Sequence, residues 1–145
     1  MQVNKGVIFD VDLRRFVGVF SDEFWEMLMS LERLGWKIMI VTSSNEEDIK
    51  EVYRNYDFNY VNFCIPNVID KRKAFEYSLK ESNVKLANAF FVGDCQSDID
   101  VSNIMGLGSI GFLWLDNSLD NSDFIATELV DILSFLEPKA MASRE

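Results

Sequence analysis

The sequence predicts an α/β fold, a doubly wound, mostly parallel five-stranded sheet flanked by helices. Three observations carry this. Five short apolar runs rich in β-branched and aromatic residues recur along the chain. Longer amphipathic stretches with helix start and stop signals separate them. Strict alternation of the two requires crossover connections, which build parallel sheets buried on both faces.

The first strand is expected over Gly6–Val11 (G-V-I-F-D-V), followed by a small flap, Arg14-Arg15-Phe16-Val17-Gly18-Val19. Ser21 then opens a helix with Phe24, Leu28, Leu31 and Leu34 on one face, and Gly35 stops it. The second strand is Trp36–Val41; Ser44 and Glu47 form a capping box before a helix over Asp48–Tyr56. The third strand is Tyr60–Ile65, and Asp70 caps a helix over Lys71–Ser82. The fourth strand is Ala89–Val92, with Ser97 opening a helix over Asp98–Met105 that Gly106 ends. The fifth is Ser109–Trp114, and a last helix covers about Thr127–Glu137. Residues 1–137 read as one domain, with 138–145 a frayed tail.

Composition removes several chemistries. There is no His, so no Ser-His-Asp triad, Cys-His pair or His-ligated zinc. A net charge of −10 opposes polyanions, so no nucleic-acid or anionic-membrane partner is expected. Cys64 and Cys95 make neither a disulfide framework nor a zinc knuckle, which fits a reduced, cytoplasmic setting. The N-terminus lacks a signal-peptide core, and no apolar run approaches the ~20 residues that span a bilayer.

Ligands of such sheets bind beyond the carboxyl ends of the strands. The first strand ends there in Asp10-Val11-Asp12, the second in Thr42-Ser43-Ser44, and the fourth in Gly93-Asp94-Cys95-Gln96-Ser97-Asp98. Lys71 opens the helix before the fourth strand. Each has a bland explanation: capping carboxylates, turn hydroxyls, a solvated lysine. The D-x-D string itself recurs as Asp98-Ile99-Asp100 inside a predicted helix, so only placement gives it weight. Together at one sheet edge, these groups describe a phosphate site around a divalent metal. Carboxylates of Asp10 and Asp94 with the Asp12 carbonyl are hard oxygen ligands suited to Mg2+. Lys71 offsets charge, and Thr42, with Ser43 and nearby N–H groups, holds phosphoryl oxygens. Asp10 is then the nucleophile and Asp12 the acid and base.

This set resembles the haloacid dehalogenase superfamily of Mg2+-dependent phosphatases. Val7-Ile8-Phe9 leading into Asp10-Val11-Asp12 matches its first motif, and Ile38-Met39-Ile40-Val41-Thr42 its second. Lys71 matches the third, and Phe90-Phe91-Val92-Gly93-Asp94-Cys95-Gln96-Ser97-Asp98 the fourth, which is the most specific. The resemblance implies a Rossmann-like sheet and an aspartyl-phosphate on Asp10. It implies metal ligation by Asp10, Asp12 and Asp94, with Asp98 a further ligand or a supporting partner. Lys71, 23 residues before Asp94, is the preferred site lysine, with Lys73 the alternative.

Leu13 and Arg14 depart from the family pattern after the second Asp. Arg14 reads either as a polar flap tip or as a group recognising substrate phosphate or carboxylate. The departure also opens an alternative: a weak or inactive domain that binds phosphate or a protein. Asp10 and Thr42 are 32 residues apart, and Thr42 and Lys71 are 29, too few in either case for a cap domain. A capless enzyme acting on a phosphorylated small molecule or macromolecule is the expectation. Trp25, Met27 and Met29 lie outside the stripe of their helix, suggesting either a homo-oligomer or a wider core contact.

Two further patterns are discounted. Gly106-Leu107-Gly108-Ser109-Ile110-Gly111 spells a dinucleotide fingerprint, but it follows a helix and enters a strand. A signalling receiver needs an Asp after its third strand, where this chain has Cys64-Ile65-Pro66-Asn67. Trp36 and Trp114 read as core residues.

Overall fold

The computed structural model describes residues 4–10, 13–55, 60–114 and 117–140, with the side chains of 13–21 and 52–55 left aside. Among these, six strands form one sheet: β1 (Lys5–Asp10), β2 (Trp36–Val41), β3 (Phe63–Ile65), β4 (Ala89–Gly93), β5 (Gly108–Phe112) and β6 (Phe124–Ala126). Their order is β3-β2-β1-β4-β5-β6, and every pairing is parallel. The helices are α1 (Leu13–Arg33), α2 (Glu46–Asn55), α3 (Lys71–Ser82), α4 (Gln96–Met105) and α5 (Leu129–Leu136).

The doubly wound architecture is as the sequence predicts, with one strand more. β6 escapes a reading by periodicity because it has only three residues, of which Ala126 alone is buried. β3 is shorter than expected. Asn62 takes over at its start: its Oδ1 accepts from the Ile38 N–H at 2.9 Å and its own N–H donates to the Ile38 carbonyl at 2.8 Å.

The expected flap is a correction. Residues 13–20 are helical, continuous with the rest of α1. Leu13, Phe16, Val17, Phe20 and Phe24 are spaced by threes and fours, so a helical period was present where the β-branched Val17 and Val19 suggested a hairpin. Ser21 therefore lies inside the helix. Other caps shift by one or two residues. Asn45, rather than Ser44, caps α2, its Oδ1 accepting from the Asp48 N–H at 2.9 Å. Cys95 precedes α4, and Glu128 caps α5 in a reciprocal box with Asp131. Asp70 caps α3 as predicted, and Gly106 ends α4 in a left-handed conformation (φ 87°). Where fraying was expected from residue 138, Glu137–Lys139 form a 3-10 turn, and the Lys139 carbonyl accepts from Lys5 Nζ.

Side chains on a strand alternate between faces, and that alternation sorts the core. Val7 and Phe9 join Phe24, Leu28, Leu31 and Ile132 under α1 and α5. Ile8 joins Met39, Phe75, Phe91 and Ile99 under α3 and α4. Each of these large side chains contributes about 1.5–3 kcal/mol by leaving water. Asp10 follows Ile8 by two positions, so the period aims its carboxylate at the α3–α4 side. Trp25 and Met27 are buried in the first cluster, so a wider core contact accounts for their apolar surface. Between β1 and β2 the described chain is one helix, with no inserted cap.

Candidate active site

β1 is the strand from which the chain winds outward in both directions, so the β1/β4 boundary is the switch point of the sheet. Register sets the site there. Asp10 pairs with Val41 on one side and Gly93 on the other, which brings three strand ends level. Thr42 and Asp94 are each the next residue along. Gly93 is required by packing: a Cβ there would lie 2.5 Å from the Phe91 ring.

Asp10 is buried, with 5% of its surface exposed. Lys71, at the first position of α3, sends Nζ to Asp10, donating to Oδ1 at 2.8 Å and lying 2.7 Å from Oδ2. Asp98, also buried, reaches the same ammonium from the first turn of α4, Oδ2 to Nζ 4.0 Å. Burial first, then the Asp98 carboxylate, pushes the Asp10 pKa up to about 7 against the pull of Lys71. Burial likewise raises Asp98, again opposed by Lys71. Two buried acids thus share one cation. Lys73, the alternative, is exposed, and its backbone N–H serves the Asp70 cap.

Thr42 is buried and organises the neighbouring loops. Its Oγ1 accepts from the Ser44 N–H at 3.1 Å, and its carbonyl accepts from Val68 N–H. The Ser44 carbonyl accepts from Asn67, which adopts a left-handed conformation (φ 56°). Ser43 is exposed at the rim. A cleft of about 720 Å³ joins these parts, lined by Asp10, Ser43, Asn67, Lys71, Asp94 and Asp98 among others.

Asp94 is held by residues the sequence reading placed in the core or passed over. Trp114 Nε1–H donates to its Oδ2 at 2.9 Å, and Asn117 Nδ2 donates to its backbone carbonyl at 3.0 Å. Trp114 is half-buried at the rim of the core, a correction to its reading as a core residue. No local signal marks Trp114, the last residue of the expected fifth strand, or Asn117 for this duty. Cys95 is exposed in the cleft, Sγ 3.2 Å from Ser97 Oγ, and neither cysteine forms a disulfide. Asp12 lies outside the described residues. Arg14 lies in the first turn of α1, and its side chain is outside the description too.

A hard divalent cation suits this donor set in type. The carboxylates of Asp10, Asp94 and Asp98 are hard oxygen donors that line the same cleft. Among the described residues the acids are not gathered into a three-ligand cluster. No helix among them is long and apolar enough to cross a membrane.

The parallel sheet thus carries a buried, lysine-paired carboxylate at its switch point. Residues 18–112 match the family described as haloacid dehalogenase-like hydrolase, and the chain belongs to that family. No curated protein sequence matches it. Its fold is similar to the core domain of a candidate phosphoglycolate phosphatase from Streptococcus pneumoniae TIGR4, at 20% identity and TM-score 0.72, covering 94% of this chain and 97% of that one. A HAD phosphatase from Thermococcus onnurineus gives 18% identity and TM-score 0.73, covering 91% and 97%. An L-2-haloacid dehalogenase gives 14% and 0.67, covering 79% of this chain and 55% of that one. At these identities the likeness establishes the fold.

Proposed function

We propose that the chain is a Mg2+-dependent phosphomonoesterase working through an aspartyl-phosphate on Asp10. The observation that carries this is Asp10 itself: a buried carboxylate at the central strand end, both of its oxygens within 2.8 Å of the Lys71 ammonium. Such a group is costly to stability, and a nucleophile at a switch point is a reason to keep it.

In this reading Asp10 attacks phosphorus, the bond from phosphorus to the ester oxygen breaks, and Asp12 gives a proton to the departing alkoxide. Asp12 then takes a proton from water as that water attacks the acyl phosphate, releasing inorganic phosphate and restoring the Asp10 carboxylate. Thr42, Ser43 and the N–H groups of their loop hold phosphoryl oxygens, and Lys71 neutralises charge as it gathers there. Asp10, Asp94 and the Asp12 carbonyl would hold Mg2+, with Asp98 supporting them. The ion supplies charge neutralisation between two anionic reactants. Arg14 is assigned to substrate phosphate or carboxylate. The substrate class is a phosphorylated small molecule in a cytoplasmic setting, the net charge of −10 disfavouring nucleic-acid ends.

The test is p-nitrophenyl phosphate hydrolysis with and without Mg2+, beside an Asp10→Asn control. Metal-dependent turnover lost in Asp10→Asn supports the enzyme. No turnover across a broad panel of phosphate esters would instead favour the binding domain. That second reading has an observation of its own: the Lys71 ammonium already pairs with the buried Asp10 carboxylate.

A further inference from the structure

We propose that Trp114 is a positioning residue that presents Asp94 to a divalent cation through a single oxygen, favouring Mg2+ over Ca2+; this rests on the reading of Asp94 as a ligand. The indole N–H has no acceptor capacity, and a carboxylate is its strongest class of partner. Here it donates to Asp94 Oδ2 at 2.9 Å. The ring cannot easily swing away. It packs edge-on against Phe112, centroids 5.0 Å apart at 65°, and the Trp114 backbone N–H donates to Asn117 Oδ1 at 2.6 Å.

The Asn117 amide closes the bracket, donating to the carbonyls of Asp94 (3.0 Å) and Phe112 (3.1 Å). Farther along, the Gln96 side chain pairs with both backbone groups of Asp120, at 2.9 and 2.6 Å. The segment after β5 thus grips the loop between β4 and α4 at the residue assigned to the metal. Two-oxygen chelation by Asp94 would turn Oδ2 toward the cation and away from the indole. Ca2+ accepts such chelation and takes about 6–8 oxygens, whereas Mg2+ keeps an octahedron of single oxygens at about 2.0–2.1 Å. Engaging Oδ2 with an N–H donor leaves Oδ1 for the ion and penalises the Ca2+ mode.

Titration calorimetry of Mg2+ and Ca2+ tests this on wild type, Trp114→Phe and Asp94→Asn. Phenylalanine keeps a ring against Phe112 and loses the donor. The Mg2+ over Ca2+ affinity ratio should fall at least fivefold in Trp114→Phe. A purely structural role would weaken both ions alike; an unchanged ratio overturns the inference, while loss of Mg2+ binding in Asp94→Asn would leave the ligand reading standing. On wild type, the indole N–H resonance that Trp114→Phe removes should shift on adding Mg2+. A resonance unmoved at saturation also overturns the inference. If wild type binds no Mg2+, the inference and the metal reading fall together.

Discussion

A single ammonium spans the Asp10 carboxylate, with Lys71 Nζ 2.8 Å from Oδ1 and 2.7 Å from Oδ2. The same Nζ is 4.0 Å from Asp98 Oδ2, so removing it leaves two buried acids facing each other. Lys71→Met should lower kcat by about 10²–10³ in a phosphatase assay, the scale of one lost charge-stabilising donor. Lys73→Met should stay within about twofold of wild type, since that side chain is exposed.

Asp10→Asn should abolish turnover and at the same time stabilise the cation-free protein. The ionised carboxylate is penalised by burial and by Asp98, and an amide of the same shape avoids both. Urea unfolding at pH 8 without divalent ions should show a gain of about 1–3 kcal/mol. Adding Mg2+ should narrow the gap by stabilising wild type alone.

Raised carboxylate pKa values fix the sign of a pH dependence. Asp10 binds its proton more tightly folded, at about 7, than at its ordinary 3.8. Its contribution is therefore fully present below about pH 4 and lost as pH rises through about 7, and Asp98 acts in the same direction. Asp131, lowered by the backbone N–H groups of Thr127 and Glu128, has the opposite slope. Denaturation across pH 4–8 without cations should show a decline that sets in near pH 4 and levels off near pH 7, which Asp10→Asn flattens.

Gly93→Ala should harm both fold and activity. The new methyl would meet the Phe91 ring at 2.5 Å, and Phe91 is itself packed against Phe75 with centroids 4.9 Å apart. Overpacking of this kind costs about 1–3 kcal/mol. Because Gly93 pairs with Asp10, kcat should fall with the melting temperature. A variant with wild-type Tm and wild-type kcat would contradict the packing argument.

The long parallel strands and the ends of α3 and α4 were legible because each carries its own signal: continuous apolar runs, Asp70 before Lys71, Gly106 after Met105. The convergence of Asp10, Lys71 and Asp98 was legible too, since motifs at the ends of adjacent strands meet once order and register are set. What escaped was tertiary in origin. The first two turns of α1 were hidden by the β-branched Val17 and Val19, two positions apart as in a strand. β6 is too short for a period to show. Trp114 and Asn117 act on Asp94 across 20 and 23 positions, and nothing in their local sequence announces a hydrogen-bonding duty.

Both borders of the sheet are three residues long, Phe63–Ile65 on one flank and Phe124–Ala126 on the other. A newcomer strand docking there finds only a few unpaired backbone groups to template upon. The long, apolar strands that would seed fibres are enclosed at the middle, paired on both sides. Concentrated solutions of the folded protein should consequently resist edge-to-edge accretion into cross-β deposits, a protection owed to the brevity of its margins.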